Sequence, residues 1–113
     1  MKGRTVPVDF DPRFQRALEF IGRRWTGAVI RALMHGPVRF NHLLAGIPGI
    51  SDRLLSERLR ELESGGLVER MVLTDRPIAV KYGLTARGKS LAAIFEAIDS
   101  WTRTEQVEVE AAS

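Results

Sequence analysis

ISDRLLSERLRELESGGLVERMVLTDRPIAVKYGL, residues 50–84, joins a capped amphipathic helix to two alternating strands. Ser51 is a good N-cap because its hydroxyl can accept from an unpaired N–H of the first turn, and Asp52 complements the positive end of the helix dipole. Leu55, Leu59 and Leu62 recur at i, i+4 and i+7 with Leu54 beside them, which commits one side to a core. At 100° per residue, Arg53, Ser56, Glu57 and Arg60 project from the opposite side. Gly65 or Gly66 can take the left-handed conformation that ends a helix. The period then changes to 2: Ile78, Val80, Tyr82 and Leu84 point one way, and Ala79, Lys81 and Gly83 the other. A capped helix followed by a two-stranded ribbon is a winged-helix arrangement.

Working outward, the 113 residues and 44% apolar content suit one compact domain that needs neither disulfides nor metal. The expected division is an N-terminal arm over residues 1–10, a single domain over 11–104, and an acidic tail over 105–113. No apolar run is long enough to cross a bilayer, and the N-terminus lacks the apolar centre of a signal peptide. A soluble, cytoplasmic chain with no membrane partner is expected. The absence of cysteine removes thiol nucleophiles, thiolate metal sites and a cysteine redox switch.

The net charge of +3 understates an asymmetry: residues 1–89 carry 16 Lys and Arg against 9 Asp and Glu, whereas residues 90–113 carry 1 against 5. Of the cations 14 are arginine and 3 lysine, and a guanidinium fork suits phosphate and guanine edges better than a point ammonium does. A polyanionic partner is favoured, with an ordinary basic protein as the alternative.

Before the central stretch, Asp11 caps a first helix with Pro12 at its opening position, where a missing N–H costs nothing. Phe14, Ala17, Leu18 and Ile21 form its stripe, and Phe20 adds a second apolar edge. Trp25 is expected to begin a second helix whose core side is Trp25, Val29 and Leu33 with Ala28 and Ala32, ended by Gly36 and Pro37. Arg23 and Arg24 before it either touch phosphates or form a solvated pair. Val38 to Phe40 reads as extended, Asn41 as the cap of a brief helix carrying Leu43 and Leu44, and Pro48-Gly49 as the turn into Ser51. Two helices across a tight turn, the second capped and outward-facing, form a helix-turn-helix pattern.

After it, the wing runs from Val68 to Leu73, turns through Thr74 to Pro77, and returns from Ile78 to Leu84. Proline cannot donate to a ladder, so Pro77 belongs at the tip and leaves Arg76 protruding. Thr85 is expected to cap one long final helix bearing Leu91, Ile94, Phe95, Ile98 and Trp101. The earlier helices already fill the domain, so this stripe is expected to close a dimer with the first helix. The expected interface is Phe14, Leu18, Ile21, Leu91, Ile94, Phe95, Ile98 and Trp101. The fold class is thus mainly α with a small antiparallel β-ribbon.

These residues together resemble the HxlR-type winged helix-turn-helix transcription regulators of bacteria and archaea. The matching text is LEFIGRRW (18–25), GPVRFNHLL (36–44), IPGIS (47–51), LSERLRELESGGLVER (55–70) and VKYGLTARGKSL (80–91), spread over nearly all of residues 13–101. The resemblance implies a homodimer held by its first and last helices, binding an inverted-repeat operator with one recognition helix per half-site. Many members carry a cysteine and then proline before the first helix; this chain has Asp11 and Pro12 there. Thiol sensing is therefore not expected, and a small effector between the subunits is left open.

If duplex DNA is the partner, Arg53 and Arg60 are the expected guanine readers and Ser56 and Glu57 supply polar contacts. Glu57 either accepts from a cytosine amino group or orients an arginine. Arg39, Asn41, His42 and Lys81 would meet the backbone, and Arg76 a narrow minor groove. The rival is a winged helix used for protein contact without DNA. An enzyme is disfavoured: His35 and His42 lack metal-ligand spacing, Ser51 is explained by capping, and no nucleophile elbow or phosphate loop is present. No catalytic residue, metal or cofactor is expected.

Overall fold

The computed structural model describes residues 6–74 and 77–104. Its first helix, α1 (Pro12–Ile21), starts where expected: the Asp11 carboxylate accepts from the Arg13 N–H at 2.9 Å. It contains no buried residue. Helix α2 (Thr26–Ala32) opens differently from expectation. Trp25 is not its first residue but precedes it in the left-handed region, with φ 76°. Of the expected core side, Val29 and Leu33 are buried and Trp25 and Ala32 pack half-buried against the core, whereas Ala28 stays exposed; Thr26 and Ile30 are buried in addition.

Strand β1 (Val38–Arg39) leads directly into α3 (Phe40–Gly46). Asn41 is therefore inside the helix and not its cap; Arg39 holds the cap position, with no side-chain bond. The reason is tertiary. Val38 and Arg39 are held extended against a strand some forty residues later, opposite Tyr82 and Lys81, and the chain can coil only after that pairing ends.

The turn from α3 into α4 (Asp52–Ser64) needs glycine at position 49, where φ is 91° and a Cβ would stand 3.3 Å from Cη2 of Trp25. The Ser51 hydroxyl then accepts from the Leu54 N–H at 3.0 Å, as its sequence position predicts. Ser51→Ala is expected to lower stability by about 0.5–2 kcal/mol, read from urea unfolding. Leu55, Leu59 and Leu62 are buried against Ile30, Leu33 and Leu43, which places the core between α2, α3 and the inner side of α4.

Gly66, with φ 78°, rather than Gly65 takes the left-handed position after α4. Strands β2 (Val68–Leu73) and β3 (Ala79–Leu84) pair antiparallel, from Val68 opposite Leu84 to Leu73 opposite Ala79. Among the described residues the sheet has three strands, ordered β1-β3-β2, and not the two of a bare ribbon. Because β3 is central, its side chains are half-buried or buried throughout, and the simple alternation read from residues 78–84 does not hold. Ile78 lies outside the strand and is 74% exposed.

The single long last helix is in fact two, α5 (Ala86–Lys89) and α6 (Ala92–Thr104). Thr85 does cap the first: its hydroxyl accepts from the Gly88 N–H at 3.1 Å and donates to the Gly66 carbonyl at 2.6 Å. A Cβ at Gly88 would fall 2.1 Å from the Leu67 carbonyl oxygen, so α5 is pressed against the base of the wing. The break follows at Ser90, whose hydroxyl bonds the Arg87 carbonyl at 2.6 Å, a local bond that competes with helix continuation. Helix α6, like α1, has no buried residue. The two helices that carry the most exposed apolar surface thus add little to the molecule's own core.

Candidate nucleic-acid interface

The buried arc of α4 runs through Leu55, Arg58, Leu59 and Leu62, so its opposite edge is centred near Arg53 and Arg60. The Arg53 side chain is 88% exposed, and Arg60 is exposed as well. Ser56 and Glu57 flank them, half-buried. Arg53 Nε lies 3.3 Å from Glu57 Oε2 one turn later, while the other Glu57 oxygen is 3.9 Å from Arg58 Nη1. Glu57 thus stands between an outward arginine and a buried one. Such an exposed i,i+4 pair contributes only about 0.3–0.5 kcal/mol, so Arg53 remains able to exchange its partner for a stronger acceptor.

Arg58 was not among the residues singled out from the sequence, and it is the one charged side chain among the described residues that the fold buries, at 7% exposure. Its Nε donates to the Arg24 carbonyl at 2.9 Å and its Nη1 to Glu61 at 3.3 Å. A signal for it existed: position 58 is i+3 from Leu55 and i−4 from Leu62, inside the apolar arc.

The start of α3 and the outer end of β3 frame a cleft of about 320 Å³ whose lining includes Arg39, Asn41, His42, Ile78, Ala79 and Val80. Three of the four backbone-contact candidates therefore share one place, and the fourth, Lys81, is the register partner of Arg39. Arg76, expected at the wing tip, lies outside the described residues.

The expected interface residues divide into two sets. Leu91 and Phe95 are half-buried on the molecule's own core. Phe14, Leu18, Ile94, Ile98 and Trp101 remain between 45% and 63% exposed on α1 and α6. Ile21 is half-buried, and with Leu18, Phe95 and Ile98 it lines a groove of about 310 Å³ among α1, α2 and α6. An ion pair between Arg31 and Asp99 ties α6 back to α2 beside that groove.

Among the described residues no group of three or more His, Asp or Glu is placed to hold a metal ion, and no helix is long and apolar enough to cross a membrane. The arrangement offers a cationic edge on α4, a cleft with basic and polar side chains between α3 and β3, and exposed apolar residues on α1 and α6.

The HxlR-like helix-turn-helix family matches residues 20–110. Curated relatives include the HTH-type transcriptional regulator YodB of Bacillus subtilis strain 168, 43% identical over 90 residues that make up 80% of each chain. YvaP of the same organism, described as an uncharacterized HTH-type transcriptional regulator, is 41% identical over 90 residues, 80% of this chain and 83% of YvaP. Among solved structures, the reduced form of YodB superposes with a TM-score of 0.76 at 41% identity, covering 83% of this chain and 92% of that one. The reduced form of the redox regulator HypR gives 0.80 at 32% identity, covering 88% and 98%. The winged fold, the outward helix edge and these matches agree, and the chain belongs to the HxlR-like helix-turn-helix family of DNA-binding transcriptional regulators.

Proposed function

We propose that this chain binds an inverted-repeat operator as a homodimer, one α4 per half-site. The observation that carries this is the outward edge of α4, where Arg53 and Arg60 stand exposed on a helix whose other side is buried. Arg53 and Arg60 read guanine edges, Ser56 adds a polar contact, and Glu57 orients Arg53 until a base replaces it. Arg39, Asn41, His42 and Lys81 hold the phosphate backbone, and Arg76 enters the minor groove beside the wing. Domain 11–104 does this work, in the cytoplasm with the cell's DNA; the arm over 1–10 and the acidic tail over 105–113 flank it.

Dimerisation through α1 and α6 is supported by their exposed apolar residues, which water would otherwise meet. A two-fold dimer sets its recognition helices about 34 Å apart, one turn of duplex. YodB is a transcriptional regulator solved in reduced and quinone-bound forms, and HypR is a redox regulator. The 113 residues here hold no cysteine, so regulation in this chain does not run through cysteine oxidation, and an effector, where one acts, binds without a thiol.

Selection of bound fragments from random duplex DNA by the purified protein tests the reading. The expected product is a palindrome with half-site centres about one helical turn apart, bound more weakly as salt rises because phosphate contacts release counterions. On that sequence, Arg53→Ala and Arg60→Ala are each expected to cost about 1–3 kcal/mol and to relax base preference, while Arg76→Ala lowers affinity with less effect on major-groove sequence. No enriched sequence at low salt would leave the protein-contact module in its place.

A further inference from the structure

Burial alone does not set the direction of α1 relative to α4, because α1 has no fully buried residue and Phe20 is its one side chain packed, half-buried, against the core. Three links do, and all of them join residues 20–24 to the inner side of α4 and its end. The Phe20 ring lies over Gly65, where a Cβ would be 3.2 Å from Cζ. Arg23 Nη1 pairs with Glu61 Oε2 at 3.1 Å. Arg58 donates from Nε to the Arg24 carbonyl at 2.9 Å and from Nη1 to the same Glu61 at 3.3 Å.

The carbonyl that Arg58 holds belongs to the residue just before Trp25, where the chain turns from α1 into α2. Trp25 keeps φ at 76°, a conformation that a bulky residue retains only when its surroundings over-determine it. The Arg24 guanidinium, 5.4 Å from the centre of the Trp25 ring, and the Gly49 turn against the ring's far edge complete that confinement. A buried arginine is a poor device for stability alone, since an apolar side chain of similar volume often does as well or better. What it supplies here is direction: a planar fork that grips a carbonyl and a carboxylate at once, which a lysine ammonium cannot reproduce.

We propose that Arg58 is a positioning residue for operator recognition: by locking the α1–α2 corner onto α4 it sets the half-site spacing that the dimer accepts. This rests on the operator-binding homodimer proposed above. The lever is long enough to matter. A helix of 13 residues such as α4 is about 20 Å long, and a joint loosened by about 10° moves its far end by roughly 3.5 Å, one base-pair step.

The test uses the selected palindrome with its half-sites at the native spacing and one or two base pairs closer or farther apart. It compares wild type, Arg58→Met and Arg58→Lys by the ratio of affinities between spacings, which cancels any uniform loss. Wild type is expected to lose about tenfold or more per base pair of displacement, because each step also rotates one half-site around the duplex. Both variants are expected to lose about threefold or less, lysine failing to rescue because it cannot span both acceptors. A wild-type spacing ratio in Arg58→Met overturns the proposal, whatever its Tm. If Arg58→Met does not fold, Arg23→Gln cuts the same joint from its exposed side, and an unchanged ratio there overturns the proposal equally. Wild type that enriches no palindrome overturns instead the operator reading beneath it.

Discussion

Ile98→Asp is expected to leave the protein folded but monomeric, and to weaken binding to a two-half-site operator by about 10²–10⁴-fold, the gain that linked binding sites ordinarily supply. Ile98 is 47% exposed in the monomer and faces the groove it shares with Leu18, Ile21 and Phe95. A carboxylate there meets water in a single chain, so the fold loses little. Two such carboxylates placed within an apolar dimer contact would be desolvated without partners, a cost large enough to part the subunits. Sedimentation should show one subunit mass, and circular dichroism should show the helices retained. Affinity for an isolated half-site should change far less than affinity for the palindrome. A variant that stays dimeric and keeps full operator affinity would place the subunit contact somewhere other than α1 and α6.

The second large effect concerns stability. Leu55 has no exposed surface, and it lies in the cluster where α4 meets α2 and α3. Leu55→Ala is expected to cost about 2–5 kcal/mol through lost burial and the cavity left behind. That is a sizeable share of the 5–15 kcal/mol or so that holds a typical domain. Arg53→Ala, two residues earlier on the same helix, is expected to change stability by about 0.5 kcal/mol or less, because its side chain points into solvent. Urea unfolding at one fixed protein concentration checks both, since a dimer's apparent stability depends on concentration. The pair also tests helix phase: comparable losses in both variants would mean that α4 is rotated from the position described.

Helix α4 was legible because its determinants are neighbours in sequence. Ser51 needs only the N–H of Leu54 to act as a cap, and the leucine period needs only the helix itself. The same holds for Asp11 at the start of α1 and Thr85 at the start of α5. The Arg53–Arg60 edge followed from that phase without any further information. Asn41 failed as a cap for the opposite reason. A pairing between Val38 and Tyr82 decides where α3 can begin, and no local propensity reports it. The bond from Ser90 to the Arg87 carbonyl at the break is local, but the close approach of Gly88 to Leu67, which holds α5 in place, is not.

Residues 50–84, read alone, dictate a capped helix with one greasy and one cationic side, followed by an antiparallel wing, since caps and periodicity act over a few residues. Only the packed chain decides that the inward Arg58 grips a carbonyl 34 residues away, that Trp25 adopts a left-handed backbone, and that β1 completes the sheet. Each of those outcomes depends on which distant groups meet, and that is settled by burying the leucines of α4 against α2 and α3, not by anything adjacent in the chain.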